Sequence, residues 1–155
     1  MKNLIVNADD LARSGAQIRM WLIIASDGPR VMLFGPLEVD FLPLKQYFLD
    51  LSKRGEAIQL EAEPFISCLG DVALTVKYST ADSKTRQRLV RAKQKTSSFE
   101  WTLSADQCDV ITEMIDALME SKKPGHQYLT NYPADAATIL VSKGEYSDEI
   151  FKANS

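Results

Sequence analysis

Residues 104–125 read SADQCDVITEMIDALMESKKPG and contain the clearest structural pattern in the chain. Ser104 followed three residues later by Gln107 is the signature of a capping box, and the closing Pro-Gly pair terminates a helix. Apolar side chains between these signals recur three and four residues apart and therefore share one helical face: Cys108, Ile111, Ile115 and Leu118. We predict a helix over about residues 105–121 that packs this face against a core.

A second helix is predicted earlier in the chain, over about residues 41–54. Asp40 can cap its start, and Gly55 can end it in a left-handed conformation. Its apolar residues follow the same helical spacing: Leu44, Tyr47, Phe48 and Leu51. Two helices of this length, each with one apolar face, need a further layer to pack against.

That layer is predicted to be a β-sheet, because several segments alternate between apolar and polar residues. A hairpin is predicted where two apolar runs flank the turn-forming residues 26–29. The predicted strands cover residues 21–25, 30–34, 58–62, 72–78, 99–103, 126–129 and 138–142. Clean alternation favours antiparallel strands with one wetted face. The predicted fold class is α+β, with a mainly antiparallel sheet of about five to seven strands covered by two main helices.

The size and composition are those of an ordinary globular domain. With 155 residues and 45% hydrophobic content, the chain is expected to form one α+β domain over residues 1–155, with a polar tail that frays from about residue 147. The longest apolar stretch, residues 20–25, is far shorter than a membrane span, and no secretory signal is apparent. We therefore expect a soluble cytoplasmic protein with no membrane partner.

The charge is unevenly distributed. There are 18 basic and 21 acidic side chains, and this net charge of −3 disfavours a general nucleic-acid binder. Six of the basic residues lie within a segment that has no acidic residue, here called the basic strip: Lys84, Arg86, Arg88, Arg91, Lys93 and Lys95. The strip is consistent with a solvated edge strand, a surface that docks a protein, or a site that binds RNA.

Few residue types suited to catalysis are present. His126 is the only histidine, and Cys68 and Cys108 are the only thiols, so neither a zinc site nor another metal site is expected. No phosphate-binding loop, nucleophile elbow or dinucleotide fingerprint occurs, and no cofactor is expected. If the protein is a small hydrolase or transferase, His126 would act with a carboxylate such as Asp135 or Glu145.

The leading functional hypothesis is a non-enzymatic module that binds another protein. In its most specific form the protein is an immunity or antitoxin-like protein that blocks a toxin, because an acidic body is complementary to a basic nuclease. Tyrosines near charged groups are typical interface anchors. The residues predicted to bind are Arg86, Arg88, Arg91, Lys93, Lys95, Tyr128 and Tyr146. The alternatives are the His126 enzyme and RNA binding through the basic strip.

Overall fold

The computed structural model describes residues 18–80, 88–91, 97–130 and 136–146. Within them the chain forms two α-helices, nine strands and a short 3₁₀ turn at Leu60–Ala62. The helices are α1 (Leu42–Arg54) and α2 (Ala105–Glu120). The strands are β1 (Ile18–Ala25), β2 (Gly28–Gly35), β3 (Ile58–Gln59), β4 (Ile66–Leu69), β5 (Ala73–Tyr78), β6 (Arg88–Arg91), β7 (Ser98–Leu103), β8 (Gly125–Tyr128) and β9 (Thr138–Lys143).

The strands form two mixed sheets. Sheet one has five strands in the order β4-β1-β2-β9-β8, and sheet two has four in the order β3-β5-β7-β6. In sheet one, β1 is antiparallel to β2 and β8 to β9, whereas β1–β4 and β2–β9 are parallel. In sheet two, β3–β5 and β6–β7 are antiparallel and the central β5–β7 pair is parallel. Strand β8 therefore lies at one edge of sheet one.

The α+β class and the two helices are confirmed, whereas the expected mainly antiparallel sheet of five to seven strands is matched only in part. Three of the seven strand pairs among the described residues are parallel, and the nine strands are divided between two sheets. The β5–β7 pair shows why the alternation misled. Leu74 and Trp101 are buried, while Thr75 and Glu100 on the other face are only half-buried. Alternation therefore indicates that one face of the sheet is partly exposed to water. It does not indicate whether the strands are parallel or antiparallel.

The helix ends follow their local sequence. Ser104 accepts a hydrogen bond from the Gln107 N–H at 3.3 Å, and the Gln107 side chain accepts one from the Ser104 N–H at 2.8 Å, which confirms the capping box. At the start of α1, Asp40 accepts the Leu42 N–H at 2.9 Å. That helix ends at Gly55, whose φ of 66° is the left-handed conformation that glycine tolerates best.

One predicted strand is shorter than expected. The pattern over residues 58–62 predicts a continuous strand, but β3 ends at Gln59 and the chain then turns through Leu60–Ala62. The Glu63 N–H donates to the Leu60 carbonyl at 3.1 Å and closes this turn. Leu60 is buried in this turn, as it would be expected to be in the predicted strand, so its apolar character did not distinguish the two.

A continuous hydrophobic cluster unites both helices with the inner faces of both sheets. Phe48 of α1 packs edge-on against Trp101 of β7, with ring centroids 5.7 Å apart. The buried Lys143 of β9 donates from Nζ to the carbonyl of Ser121, immediately after α2, and fixes the C-terminal end of this helix to sheet one. No described helix is long and apolar enough to cross a lipid bilayer. The side of α2 opposite its buried residues lies at the surface.

Candidate functional site

The exposed side of α2 is acidic along its whole length. Its carboxylates are spaced by three and four residues and therefore form one stripe, here called the acidic face: Asp106, Asp109, Glu113, Asp116 and Glu120. The helix contains no lysine, arginine or histidine. The apolar stripe of the same helix is turned into the core, which leaves the acidic face at the surface.

The carboxylates of the acidic face differ in their partners. Within the described part of the chain, Asp116 is the only one of the five in an ion pair, with Lys45 Nζ 2.8 Å from its Oδ1. Asp106, Asp109 and Glu113 are exposed. Neighbouring like charges on a helix repel each other, so the acidic face has an unfavourable charge arrangement in the isolated chain. A positively charged surface placed against it would relieve this repulsion.

A shallow apolar groove runs beside the acidic face, between α2 and the β8 edge, and is here called the α2–β8 groove. It encloses about 230 Å³. Its lining comes from Asp106, Gln107, Val110, Ile111, Met114, Tyr128 and Leu129. Val110 is 48% exposed and Tyr128 is 43% exposed, so two large side chains of the lining are accessible to a partner. The groove thus combines accessible apolar surface with adjacent negative charge.

His126 and Glu145, which were predicted as a possible catalytic pair, are brought together. His126 Nδ1 lies 2.9 Å from Glu145 Oε1, and the Ser142 hydroxyl donates to the same oxygen at 2.6 Å. Burial acts to raise the pKa of Glu145, but the hydrogen bonds from Ser142 and His126 and the His126 charge outweigh it and lower this pKa. The carboxylate is therefore stabilised in its charged form.

The geometry of this cluster differs from that of a serine hydrolase. Such a site needs the hydroxyl to bond to the imidazole that removes its proton. Here the hydroxyl of Ser142 bonds to Glu145 instead, and the Ser142 side chain is fully buried. Asp135, the other predicted partner of His126, lies outside the described residues. The His126–Glu145 pair joins β8 to the turn after β9, and its side chains are partly exposed.

The two predicted tyrosine anchors have different environments. Tyr146 is half-buried and packs edge-on against Phe34 on the outer face of sheet one, with centroids 6.0 Å apart. Tyr128 packs against the His126 ring at 5.3 Å and is more exposed. Tyr128 therefore has the surface expected of an interface anchor, whereas Tyr146 contributes mainly to packing.

Most of the basic strip lies outside the described residues, namely Lys84, Arg86, Lys93 and Lys95. Arg88 and Arg91 are the first and last residues of β6, the edge strand of sheet two. The guanidinium of Arg91 lies 5.7 Å from the centroid of the Phe99 ring, a cation–π distance. Where it is described, the basic strip is therefore part of β6, the strand at one edge of sheet two.

The two cysteines have environments that suppress thiolate formation. Burial raises the pKa of Cys108 to about 11, with a smaller contribution from Asp109. Desolvation and then Glu61 raise the pKa of Cys68, although that residue is largely exposed. A protonated thiol is a poor nucleophile and a poor metal ligand. Among the residues described, no group of three or more His, Cys, Asp or Glu is arranged to hold a metal ion.

The acidic face was missed in the sequence analysis, although its signal is present there. Five carboxylates occur between residues 105 and 120 at helical spacing, with no intervening base. The apolar spacing of the same segment predicted the buried side of the helix, and no binding role was predicted for its exposed side. The groove had no comparable signal, because it requires Tyr128 of β8 to lie beside α2.

Comparison of the chain with protein-family models and with curated protein sequences found no match. Functional inference therefore depends on the acidic face, the α2–β8 groove and the His126–Glu145 pair themselves.

Proposed function

We propose that this chain is a non-enzymatic protein-binding module that receives a basic protein on the exposed side of α2. The observation that carries this proposal is the acidic face, where exposed carboxylates lie beside accessible apolar surface. In its most specific form the partner is a basic toxin, and this chain is the immunity or antitoxin-like protein that covers it.

Charge and apolar surface have separate roles in this proposal. Complementary charge accelerates the encounter of two proteins and selects the partner, whereas exposed ion pairs add little affinity individually. Affinity comes mainly from a few aromatic or apolar anchors that are desolvated at the centre of an interface. Tyr128 and Val110 are such residues, and the carboxylates of α2 lie next to them.

The chemistry available elsewhere is consistent with a binding role. The pKa of each cysteine is raised, so neither thiol is activated. Ser142 donates its hydrogen bond to Glu145 and is buried. In this arrangement none of these three groups is an activated nucleophile.

The experiment begins with the purified chain as bait at low salt, followed by purification of the captured basic protein and stopped-flow measurement of association. The variant is Asp109→Lys/Glu113→Lys. The matched control is Glu38→Lys/Glu56→Lys, which makes the same charge change at two other exposed sites. We expect the α2 variant to associate at least about tenfold more slowly, with a weaker salt dependence, because steering charge is lost.

Two results would refute the binding role. One is the absence of any protein captured at low salt, and the other is equal slowing by the α2 and control variants. For the toxin form, the captured basic protein should be toxic when expressed alone. Co-expression of this chain should protect the cells, and Asp109→Lys/Glu113→Lys should abolish the protection. If the variant still protects the cells, α2 is not part of the toxin interface.

A second candidate function is a small hydrolase or transferase, which is favoured by the 2.9 Å contact between His126 and Glu145. Carboxylate contact with one imidazole nitrogen orients the ring and fixes which nitrogen carries the proton. If this function is correct, His126→Ala abolishes turnover in a panel of ester and phosphoester substrates without lowering the melting temperature. A loss of stability with unchanged turnover would assign His126 a structural role.

A further inference from the structure

We infer that the α2–β8 groove accepts a single apolar side chain, of the size of leucine, methionine or phenylalanine, from a lysine- or arginine-rich segment of the partner. This inference rests on the proposed function, because it names the chemistry of the partner at the same site.

The size of the groove selects the class of occupant. Its volume of about 230 Å³ is below the range of roughly 300–1,000 Å³ that is typical for small-molecule pockets. Val110, Ile111, Met114 and Leu129 supply its apolar walls, so a polar group entering it would lose hydrogen bonds to water. A single aliphatic or aromatic side chain fits both the volume and the lining.

The charge around the groove selects the residues that flank this side chain. Asp106 is part of the lining, and among the described residues no lysine, arginine or histidine contributes to it. Asp109 and Glu113 are exposed on the same helix, on either side of Val110 in sequence. Within the described residues, none of these three carboxylates forms an ion pair. A segment with lysine or arginine next to its apolar residue would pair with them, and an acidic segment would be repelled.

A second copy of this chain is a poorer occupant. In a two-fold symmetric dimer the same patch of both copies meets itself. Burying the groove in that way would bring the two acidic faces close together, and like charges across an interface are strongly unfavourable. The charge pattern thus favours a basic heterologous partner.

The test uses a synthetic peptide that carries one leucine between pairs of lysines, with blocked termini and a fluorescent label. Two further peptides replace the leucine by serine or the lysines by glutamates. Affinity is measured by fluorescence anisotropy, and the binding position by amide chemical shifts in NMR. The protein variant is Val110→Gln. Leu49→Gln is its matched control, because Leu49 is an exposed apolar residue on α1.

We expect the lysine–leucine peptide to shift the signals of Val110, Met114 and Tyr128. Val110→Gln should weaken its binding by about fivefold or more, since apolar contact area is lost, while Leu49→Gln should leave it unchanged. Equal binding of the glutamate or serine peptide, shifts confined to another surface, or no binding would overturn the inference. So would a dimer in sedimentation that Val110→Gln dissociates, because a second copy would then occupy the groove.

The inference and the proposed function fail in different ways. If Val110→Gln binds the purified partner normally while Asp109→Lys/Glu113→Lys does not, the groove assignment is wrong and the binding role stands. If the peptide occupies the groove but the chain captures no protein at low salt, the binding role fails and the groove chemistry stands.

Discussion

The two helices resemble each other on their buried faces and differ on their exposed ones. Each inserts four buried side chains into the same hydrophobic cluster. On the exposed side of α1, Gln46 donates to Asp50 at 2.9 Å, and Lys53 lies 4.0 Å from the same carboxylate. On the exposed side of α2 all the charged residues are acidic, and the one described ion pair is made with Lys45 of α1.

The exposed surface of α1 carries charges of both signs, whereas that of α2 carries only negative charge. Within α1, Gln46 and Lys53 both contact Asp50, and the last turn carries Lys53 and Arg54, which suit the negative helix end. In α2, Asp106 of the first turn suits the positive helix end, but the helix has no basic residue to compensate the carboxylates further along. These carboxylates are therefore a surface feature that a basic binding partner would stabilise.

The largest expected effects concern the buried faces, where the helices should behave alike. We expect Phe48→Ala in α1 to destabilise the fold by about 3–5 kcal/mol and Ile115→Ala in α2 by about 2–5 kcal/mol, because each leaves a cavity. Both side chains are essentially inaccessible to solvent. Urea unfolding measures the two values. A cost below about 1 kcal/mol for either would contradict the shared core.

The helix starts should differ moderately. Ser104→Ala removes one half of the reciprocal capping box of α2 and should cost about 1 kcal/mol. Asp40→Ala removes the single described hydrogen bond from Asp40 to the start of α1 and should cost less. Thermal unfolding of the two variants, with Ala105→Ser as a nearby control, gives the comparison. A larger loss of stability for Asp40→Ala would mean that the Asp40 hydrogen bond contributes more than the Ser104 side chain does.

The exposed faces should respond with opposite sign to the same change. Glu113→Lys places a lysine four residues after Asp109, so repulsion is replaced by attraction, and stability should rise by about 0.2–0.5 kcal/mol. Asp50→Lys removes the contacts with Gln46 and Lys53 and should lower stability by a similar amount. Urea unfolding at low salt measures both. Loss of stability in Glu113→Lys would show that the acidic face is compensated in the free protein.

The smallest effect concerns Glu145. Unlike most carboxylates of the acidic face, it has hydrogen-bond partners, namely His126 and Ser142. Because its pKa is lowered in the folded state, it stabilises the fold above its unfolded pKa, and this contribution is lost as the pH falls through the folded value. Glu145→Gln should therefore be less stable than the unmodified chain at neutral pH, with the difference shrinking in acid. Unfolding free energies measured across this pH range test the expectation. A pH-independent difference would mean that the charge of Glu145 does not contribute.

The local features of the fold were predictable because neighbouring residues determine them. The capping box at Ser104, the left-handed end at Gly55 and the hairpin between β1 and β2 follow from short-range hydrogen bonding and turn geometry. Strand β4 was not predicted, since a segment of four residues carries too little periodicity to identify it. Strand β6 was predicted only as one of three interpretations of the basic strip, namely a solvated edge strand.

The candidate site was only partly predictable for the same reason. Glu145 was predicted as one possible carboxylate partner of His126, and the pairing of β8 with β9 is what brings the two side chains together. The α2–β8 groove was not foreseen, because it depends on the packing of α2 beside an edge strand. Among the predicted binding residues, Tyr128 lies in the groove and Arg91 lies on β6, in the other sheet.

By itself the sequence determined the class of the fold, both helices with their ends, and the buried face of each, because helical spacing and capping are encoded within a few residues. Only the tertiary structure decided that the strands form two sheets, which pairs are parallel, and that Tyr128 lies beside Val110. These features depend on contacts between residues that are distant in the chain. The same local pattern allows several arrangements of the strands, and the burial of apolar surface selects one of them.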